Sequence, residues 1–352
     1  MMKLTFVLGN GFDIALGLNT RYTDFYNAFL AGETSTFDSV GTQIIHHPEL
    51  VAMLEENKDN PLWADLELLL GKSIYRFNSA DCLREEKTYL ENSLNDYISA
   101  EQKRLVVNTD KGDEIRQALD KLIDRFKNYF DWSFKNEEKI VVQFVTFNYS
   151  DTIERIVKVV NKNDSTQNII YEKPIYIHGK IGDRIILGLD NKSQYTDRTG
   201  LRDRINNKEV KLILEKPELN RLFRNREYLD AIRAIKDADK IILYGTSIGE
   251  TDVSWWKTIS KWLVDHSERS FHQLGILYYL KNSNSASITE LTPLVEIERK
   301  FEQLVFEIDK MNPIRLHRRA IAVKRTEDWM FSFDNSIISI GPKRLFPGLT
   351  LR

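Results

Sequence analysis

Short apolar runs alternate with amphipathic stretches along most of the chain. The first run is Lys3 to Leu8, and comparable strand-like runs recur at Lys139 to Phe147, Pro174 to Ile177, Arg184 to Leu189, Lys240 to Tyr244, Leu274 to Leu280 and Ala320 to Val323. Runs this short, with little polar interruption, fit strands buried inside a sheet. Between them the spacing changes to that of helices. One helix starts near Thr20, a residue suited to the N-cap, with Phe25, Phe29 and Leu30 at helical intervals. Others are expected over Asp151 to Asn161, over Glu227 to Ala238, through Trp255, Trp256, Ile259 and Trp262, and from Thr292 to Lys310 with Pro293 at the first helical position. Strands alternating with helices predict an α/β fold built on a mainly parallel, doubly wound sheet.

Residues 48–133 break this rhythm. They read as almost entirely helical, with one apolar stripe at Leu62, Leu66, Leu69 and Leu70 and another at Ile115, Leu119, Leu122, Ile123, Phe126 and Tyr129. The organisation expected is a discontinuous α/β nucleotide-binding domain over 1–47 and 134–325, a large helical insertion over 48–133, and an irregular tail over 326–352. The charged stretch Ser193 to Asn225 shows no clear period and reads as a cover.

Composition narrows the class. An apolar share of 42% in 352 residues supports a real core. A net charge of −2 gives no global pull toward nucleic acid or an anionic membrane. Cys82 is the only cysteine, so no intrachain disulfide or cysteine-rich metal site is expected, which suits a reducing cytoplasm. The opening strand has no features of a secretion signal, and no apolar stretch approaches the roughly 18 residues of a spanning helix. A cytoplasmic protein without a membrane partner is expected.

Four polar clusters each follow an expected strand: Gly9-Asn10-Gly11-Phe12-Asp13, Thr146-Phe147-Asn148-Tyr149-Ser150-Asp151, Ile177-His178-Gly179, and Tyr244-Gly245-Thr246-Ser247-Ile248-Gly249-Glu250-Thr251-Asp252. In a parallel sheet all strand carboxyl ends lie on one edge, so the four can meet in one crevice. The opening turn suits either anion binding by backbone amides or a plain tight turn, because Ile14 stands where a full G-x-G-x-x-G has its third glycine. Asp151 is the better N-cap of the next helix, which leaves Asn148 to face the crevice. Gly179 opens the backbone beside the His178 imidazole. Glu250 and Asp252 are most simply first-turn acids favoured by the helix dipole. Gly245 to Gly249 also matches the G-x-S-x-G elbow, but the later His266, His272 and His317 stand in no telling context. His46-His47 lacks partners at metal spacing, and there is no P-loop.

These residues resemble the AbiH-type abortive infection proteins of bacterial antiphage defence. The match rests on Leu8 to Asp13 with Gly17-Leu18, Thr20-x-Tyr22-x-Asp24-Phe25, Trp63-x-Asp65-x-Glu67, Phe147-Asn148-Tyr149, Ile177-His178-Gly179 with Leu187-Gly188, and Gly245-x-Ser247-x-Gly249-x-x-Asp252. The order of clusters is also similar, more distantly, to the sirtuin-like NAD-binding fold. That resemblance implies Thr146 and Asn148 near a nicotinamide ribose, His178 as the base, and Gly245 with Ser247 at the dinucleotide. Ser150 stands where sirtuins carry an acid, Phe12-Asp13 replaces a small hydroxyl residue, and one cysteine permits no zinc ribbon. Protein deacylation is therefore disfavoured. The expectation is an antiphage effector that hydrolyses NAD to nicotinamide and ADP-ribose, with NAD as substrate and no permanently bound cofactor. Asn148 would orient ribose or water, His178 would accept the proton, amides of Gly9, Asn10 and Gly11 would hold phosphates, and Asp13 would hold a ribose hydroxyl. Two rivals stand: a non-catalytic nucleotide sensor that binds a phage trigger or another partner protein, or a toxin acting on nucleic acid through Arg315, Arg318 and Arg319. A homo-oligomer is compatible with either.

Overall fold

The computed structural model describes residues 1–30, 48–56, 66–129, 139–162, 168–195, 207–223, 225–264, 272–278, 299, 301, 303, 321–325 and 336–342. Its first apolar run forms the middle of a parallel sheet. Strand β1 (Met2–Leu8) pairs with β3 (Ile140–Thr146) on one side and β6 (Lys240–Tyr244) on the other. Beyond β6 lie β7 (Gln273–Tyr278) and β8 (Ile321–Arg325). Beyond β3 lie β4 (Ile169–Tyr171) against Ile140 to Val142 and β5 (Ile175–Tyr176) against Val145 and Thr146. Pro174 separates these two short strands; it has no N–H to add to the ladder. Counted as one interrupted strand, they give the parallel sheet the order 3-2-1-4-5-6 of a Rossmann-type fold.

Side-chain alternation along these strands builds two cores. Leu4, Phe6 and Leu8 of β1, Val142 and Phe144 of β3, and Ile242 and Tyr244 of β6 face α6 (Gly112–Tyr129) and α7 (Thr152–Lys162). Val7, Val145, Ile241 and Leu243 face α10 (Arg226–Lys236) and α11 (Val253–Val264). Each fully buried side chain of this size contributes about 1.5–3 kcal/mol. A third cluster joins α2 (Tyr22–Leu30), α3 (Pro48–Glu56), α4 (Leu66–Lys72), α5 (Ala80–Gln102) and α8 (Asn207–Leu214). Two short helices are α1 (Gly11–Ala15) and α9 (Lys216–Leu222). A two-stranded antiparallel sheet pairs β2 (Leu105–Val107) with β9 (Ile338–Ile340).

Several sequence expectations need correction. Arg184 to Leu189 is not a strand: among the described residues it makes only single bridges, Gly179 to Ile185 and Leu189 to Glu215. Its apolar side chains Ile185, Leu187 and Leu189 pack into the helical cluster instead. Thr20 is not the N-cap: α2 starts at Tyr22 with Arg21 O accepting the Phe25 N–H, and the Thr20 hydroxyl bonds to Asn10 Oδ1. Residues 193–225 contain α8 and α9 rather than a bare cover, residues 105–107 interrupt the helical stretch, and the tail supplies β9. His46, His47, Arg315, Arg318, Arg319 and most of the expected helix from Thr292 lie outside the described residues.

Candidate functional site

The register of the sheet brings the loops together. Leu8, Thr146 and Tyr244 are aligned at the ends of β1, β3 and β6, so the chain leaves all three strands at one edge. Between β1 and β6 the connections diverge to opposite faces, and a crevice opens at that switch point. A cavity of about 490 Å³ lies there, lined by Gly9, Asn10, Gly11, Asp13, Asn148, His178, Gly245 and Ser247, all expected site residues. Thr146 stands behind this wall, where its hydroxyl accepts the Asn148 N–H at 3.0 Å.

The glycines serve contact between loops. The Gly9 N–H donates to Tyr244 O and the Gly11 N–H to Gly245 O, each at 2.9 Å. A Cβ on Gly11 would lie 2.6 Å from Gly245 Cα. Both amides are therefore engaged within the protein, and the expectation that they hold phosphates gives way to close loop packing. Asn10 is likewise an anchor: its Nδ2 donates to Thr20 O at 2.8 Å. Gly179 has φ +74°, and a Cβ there would meet Arg184 O at 1.8 Å. Its absence of a side chain allows this tight return, not access to the imidazole.

Two polar pairs cross the cavity wall. Asp13 is buried and accepts the Ser150 hydroxyl on Oδ2 at 2.5 Å. Burial raises its pKa from 3.8 to about 6, against the opposing hydrogen bonds of Ser150 and Thr152. Asn148 is tied down by its Nδ2, which donates to Gly9 O at 3.0 Å. Asp13 Oδ1, Asn148 Oδ1, Thr246 Oγ1 and His178 Nδ1 are buried polar atoms without a hydrogen-bond partner. Four such atoms on residues lining one cavity mark a place where a ligand or water completes the bonding.

His178 belongs to a buried ionic network. Its Nε2 lies 2.9 Å from Asp252 Oδ1, which also accepts from Lys216 Nζ at 3.0 Å. Lys216 Nζ donates further to Glu67 Oε2 at 2.7 Å and to Thr251 O at 3.2 Å. Glu67 Oε1 accepts the Gly188 N–H at 3.0 Å. Burial tends to raise the Asp252 pKa, but Lys216 and His178 outweigh it and hold the carboxyl well below its usual range. Burial also opposes the Lys216 charge, yet Asp252 and Glu67 keep it firmly protonated. For His178, burial and then Lys216 lower the pKa below 6.5, overcoming the pull of Asp252. The imidazole is thus neutral near pH 7. Because Asp252 is an ionised acceptor, the proton sits on Nε2 and Nδ1 carries the free lone pair. Phe147 meets the imidazole edge-on at 5.4 Å and stacks on Trp256 at 5.1 Å.

Asp252 is therefore no simple helix-dipole acid. It lies in the 3₁₀ turn Glu250–Asp252 before α11, with its carboxylate on His178. Sequence reasoning missed Lys216 altogether and gave Glu67 no role. Glu67 carries a signal, an acid inside the apolar stretch Leu66-Glu67-Leu68-Leu69-Leu70; Lys216, in Glu215-Lys216-Pro217-Glu218, reads as one more residue of a charged segment and carries none. The serine-hydrolase elbow gains no support. Ser247 is exposed at the rim, and His272 is stacked on Trp262 with Nδ1 at its carbonyl.

A family model described as bacteriophage abortive infection AbiH matches residues 5–273. The chain belongs to the AbiH family. The matched span carries all four loops together with Glu67 and Lys216. No curated protein and no solved structure matches the chain. AbiH membership supports a role in bacteriophage abortive infection. Among the described residues of this AbiH protein, no helix is long and apolar enough to cross a membrane.

Proposed function

We propose that this AbiH protein is an abortive-infection effector that hydrolyses the N-glycosidic bond of NAD, releasing nicotinamide and ADP-ribose. One observation carries the reading. Unbonded polar atoms of Asp13, Asn148 and His178 belong to one cavity wall at the switch point of a Rossmann-order sheet. Such a crevice is where that sheet type receives dinucleotides.

The chemistry follows from the charges. As the C1′–N bond breaks, the electron pair leaves with nicotinamide and the ribose gains oxocarbenium character. Among the charged residues lining the cavity, Glu67 and Asp252 balance Lys216 and Arg21, and Asp13 adds a net negative charge that grows as pH rises through about 6. An anionic, water-poor wall favours a developing cation. Asn148 Oδ1 orients the ribose or the attacking water, and Asp13 holds a ribose hydroxyl. The water oxygen bonds to C1′ and its proton passes to His178 Nδ1, while Asp252 steadies the imidazolium through Nε2–H. Thr146 fixes the Asn148 backbone; Gly245 and Ser247 border the dinucleotide at the rim. NAD is the substrate, and the loss of NAD stops growth of the infected cell.

The test is incubation of purified protein with NAD, alone and with phage lysate, following nicotinamide by chromatography. His178→Ala should reduce release by about two to four orders of magnitude in a folded protein. Absence of nicotinamide under every condition overturns hydrolysis and leaves nucleotide sensing as the function of the crevice. A folded His178→Ala protein with full turnover removes the base from the mechanism.

A further inference from the structure

We infer that Lys216 is a positioning residue: by clamping Asp252 against Glu67 from a helix outside the sheet, it sets the tautomer and basicity of His178. The inference rests on the NAD reading for its kinetic consequence, but its structural content stands apart from it.

The geometry leaves Lys216 little else to do. An ammonium has three protons to donate. Those of Lys216 have the partners Glu67 Oε2, Thr251 O and Asp252 Oδ1 at 2.7, 3.2 and 3.0 Å. Its side chain is 5% exposed. A fully bonded, charged amine is neither a nucleophile nor a Schiff-base former. It is also not free to grip a phosphate. What it fixes is the orientation of Asp252 Oδ1, the oxygen that meets His178 Nε2.

The clamp also joins distant parts of the chain. Leu189 N–H donates to Leu214 O and Lys216 N–H to Leu189 O, both at 2.7 Å, so the chain enters α9 locked to the loop that follows His178. Gly188 allows this approach, since a Cβ there would lie 2.2 Å from Leu214 O. Glu67, on α4, holds Gly188 and Lys216 with its two oxygens. The helical layer is thereby part of the base's support. The charged groups acting on His178 are Asp252 before α11, Lys216 on α9 and Asp190 in the loop beyond Gly188, with Glu67 behind Lys216 and the uncharged Phe147 ring at its edge.

The experiment compares wild type with Lys216→Met and with the charge-balanced Lys216→Met/Glu67→Gln. The double variant removes one positive and one negative charge together and so guards against misfolding. Nitrogen NMR of the histidines reads the His178 tautomer and titration midpoint without any substrate. Both variants should lose the uniform Nε2–H tautomer, and the midpoint should rise by about one pH unit, because the repelling cation is gone. In NAD turnover, kcat should fall by about tenfold or more with KM within about twofold, and the acidic limb of the rate profile should move to higher pH. A merely structural lysine would change the melting temperature and leave tautomer and limb in place. Wild-type tautomer and midpoint in the folded variants overturn the inference. A wild-type protein that releases no nicotinamide, yet whose His178 responds to Lys216, sustains the inference and refutes the NAD reading.

Discussion

Gly245→Ala should destabilise this protein far more than a loop glycine ordinarily warrants, because two backbones meet where its side chain would be. Gly245 has φ +65°, and an added Cβ would sit 2.6 Å from Gly11 Cα and 2.7 Å from both Gly11 C and Phe12 N. The positive φ alone costs a non-glycine residue about 1–2 kcal/mol. Forcing the two loops apart adds about 1–3 kcal/mol, the range for overpacking. The backbone bond from Gly11 N to Gly245 O is strained in the same movement. A loss of about 2–5 kcal/mol is expected. Gly182 supplies the control. Its φ is +77°, but nothing lies within 4 Å of its added Cβ, so Gly182→Ala should cost only the backbone part. Urea unfolding of both variants, followed by circular dichroism, gives the difference. If Gly245→Ala is no more destabilising than Gly182→Ala, the contact between the two loops does not hold them together.

Asp13 gives a pH signature. Its folded pKa of about 6 exceeds the ordinary 3.8, so its stabilising contribution is complete below about pH 4 and is lost as pH rises through 6. Asp13→Asn should therefore gain on wild type by up to about 3 kcal/mol between pH 4 and 7.5 in denaturant titrations, and a pH-independent gap would refute the buried-acid account. Asn148→Ala should lower stability by about 1–3 kcal/mol, since Gly9 O loses its donor, and should also abolish nicotinamide release. Asp151→Ala, which removes the residue at the N-cap position of α7 together with its partly exposed pair with Arg155, should cost about 0.5–2 kcal/mol and keep its turnover per folded molecule; an inactive but stable protein would place Asp151 in the chemistry.

The sheet was legible because strands buried on both faces leave continuous apolar runs, and each polar cluster directly follows such a run. Leu8, Thr146 and Tyr244 end their strands level with one another, so reading the loops as convergent was sound. Apolarity alone did not separate a strand from a loop packed on helices, and Arg184 to Leu189 was misread for that reason. Thr20 resembled a cap because side-chain bonding to Asn10, ten residues away, leaves no trace in local sequence. The ionic network was hidden more deeply. Glu67, Lys216 and Asp252 lie far apart in the chain; Glu67 reads as one polar position in an apolar helix, and Lys216 and Asp252 stand beside other charged residues and read as solvated until their partners are located.

The central position of β1 bears on how the chain comes into being. Leu8 aligns with Thr146 and with Tyr244, partners synthesised 138 and 236 residues later. At about 5–20 residues per second, the first edge of β1 waits about 7–28 s for its neighbour and the second about 12–47 s. Throughout that interval an apolar strand with bare amides and carbonyls is available to any other unpaired edge, including that of a nascent chain on the next ribosome. Slower synthesis at low temperature does not shorten the wait. Holdase chaperones that cover the nascent N-terminal segment leave the wait unchanged but keep the strand from pairing wrongly, and soluble yield should follow their supply more closely than it follows the stability of the finished protein.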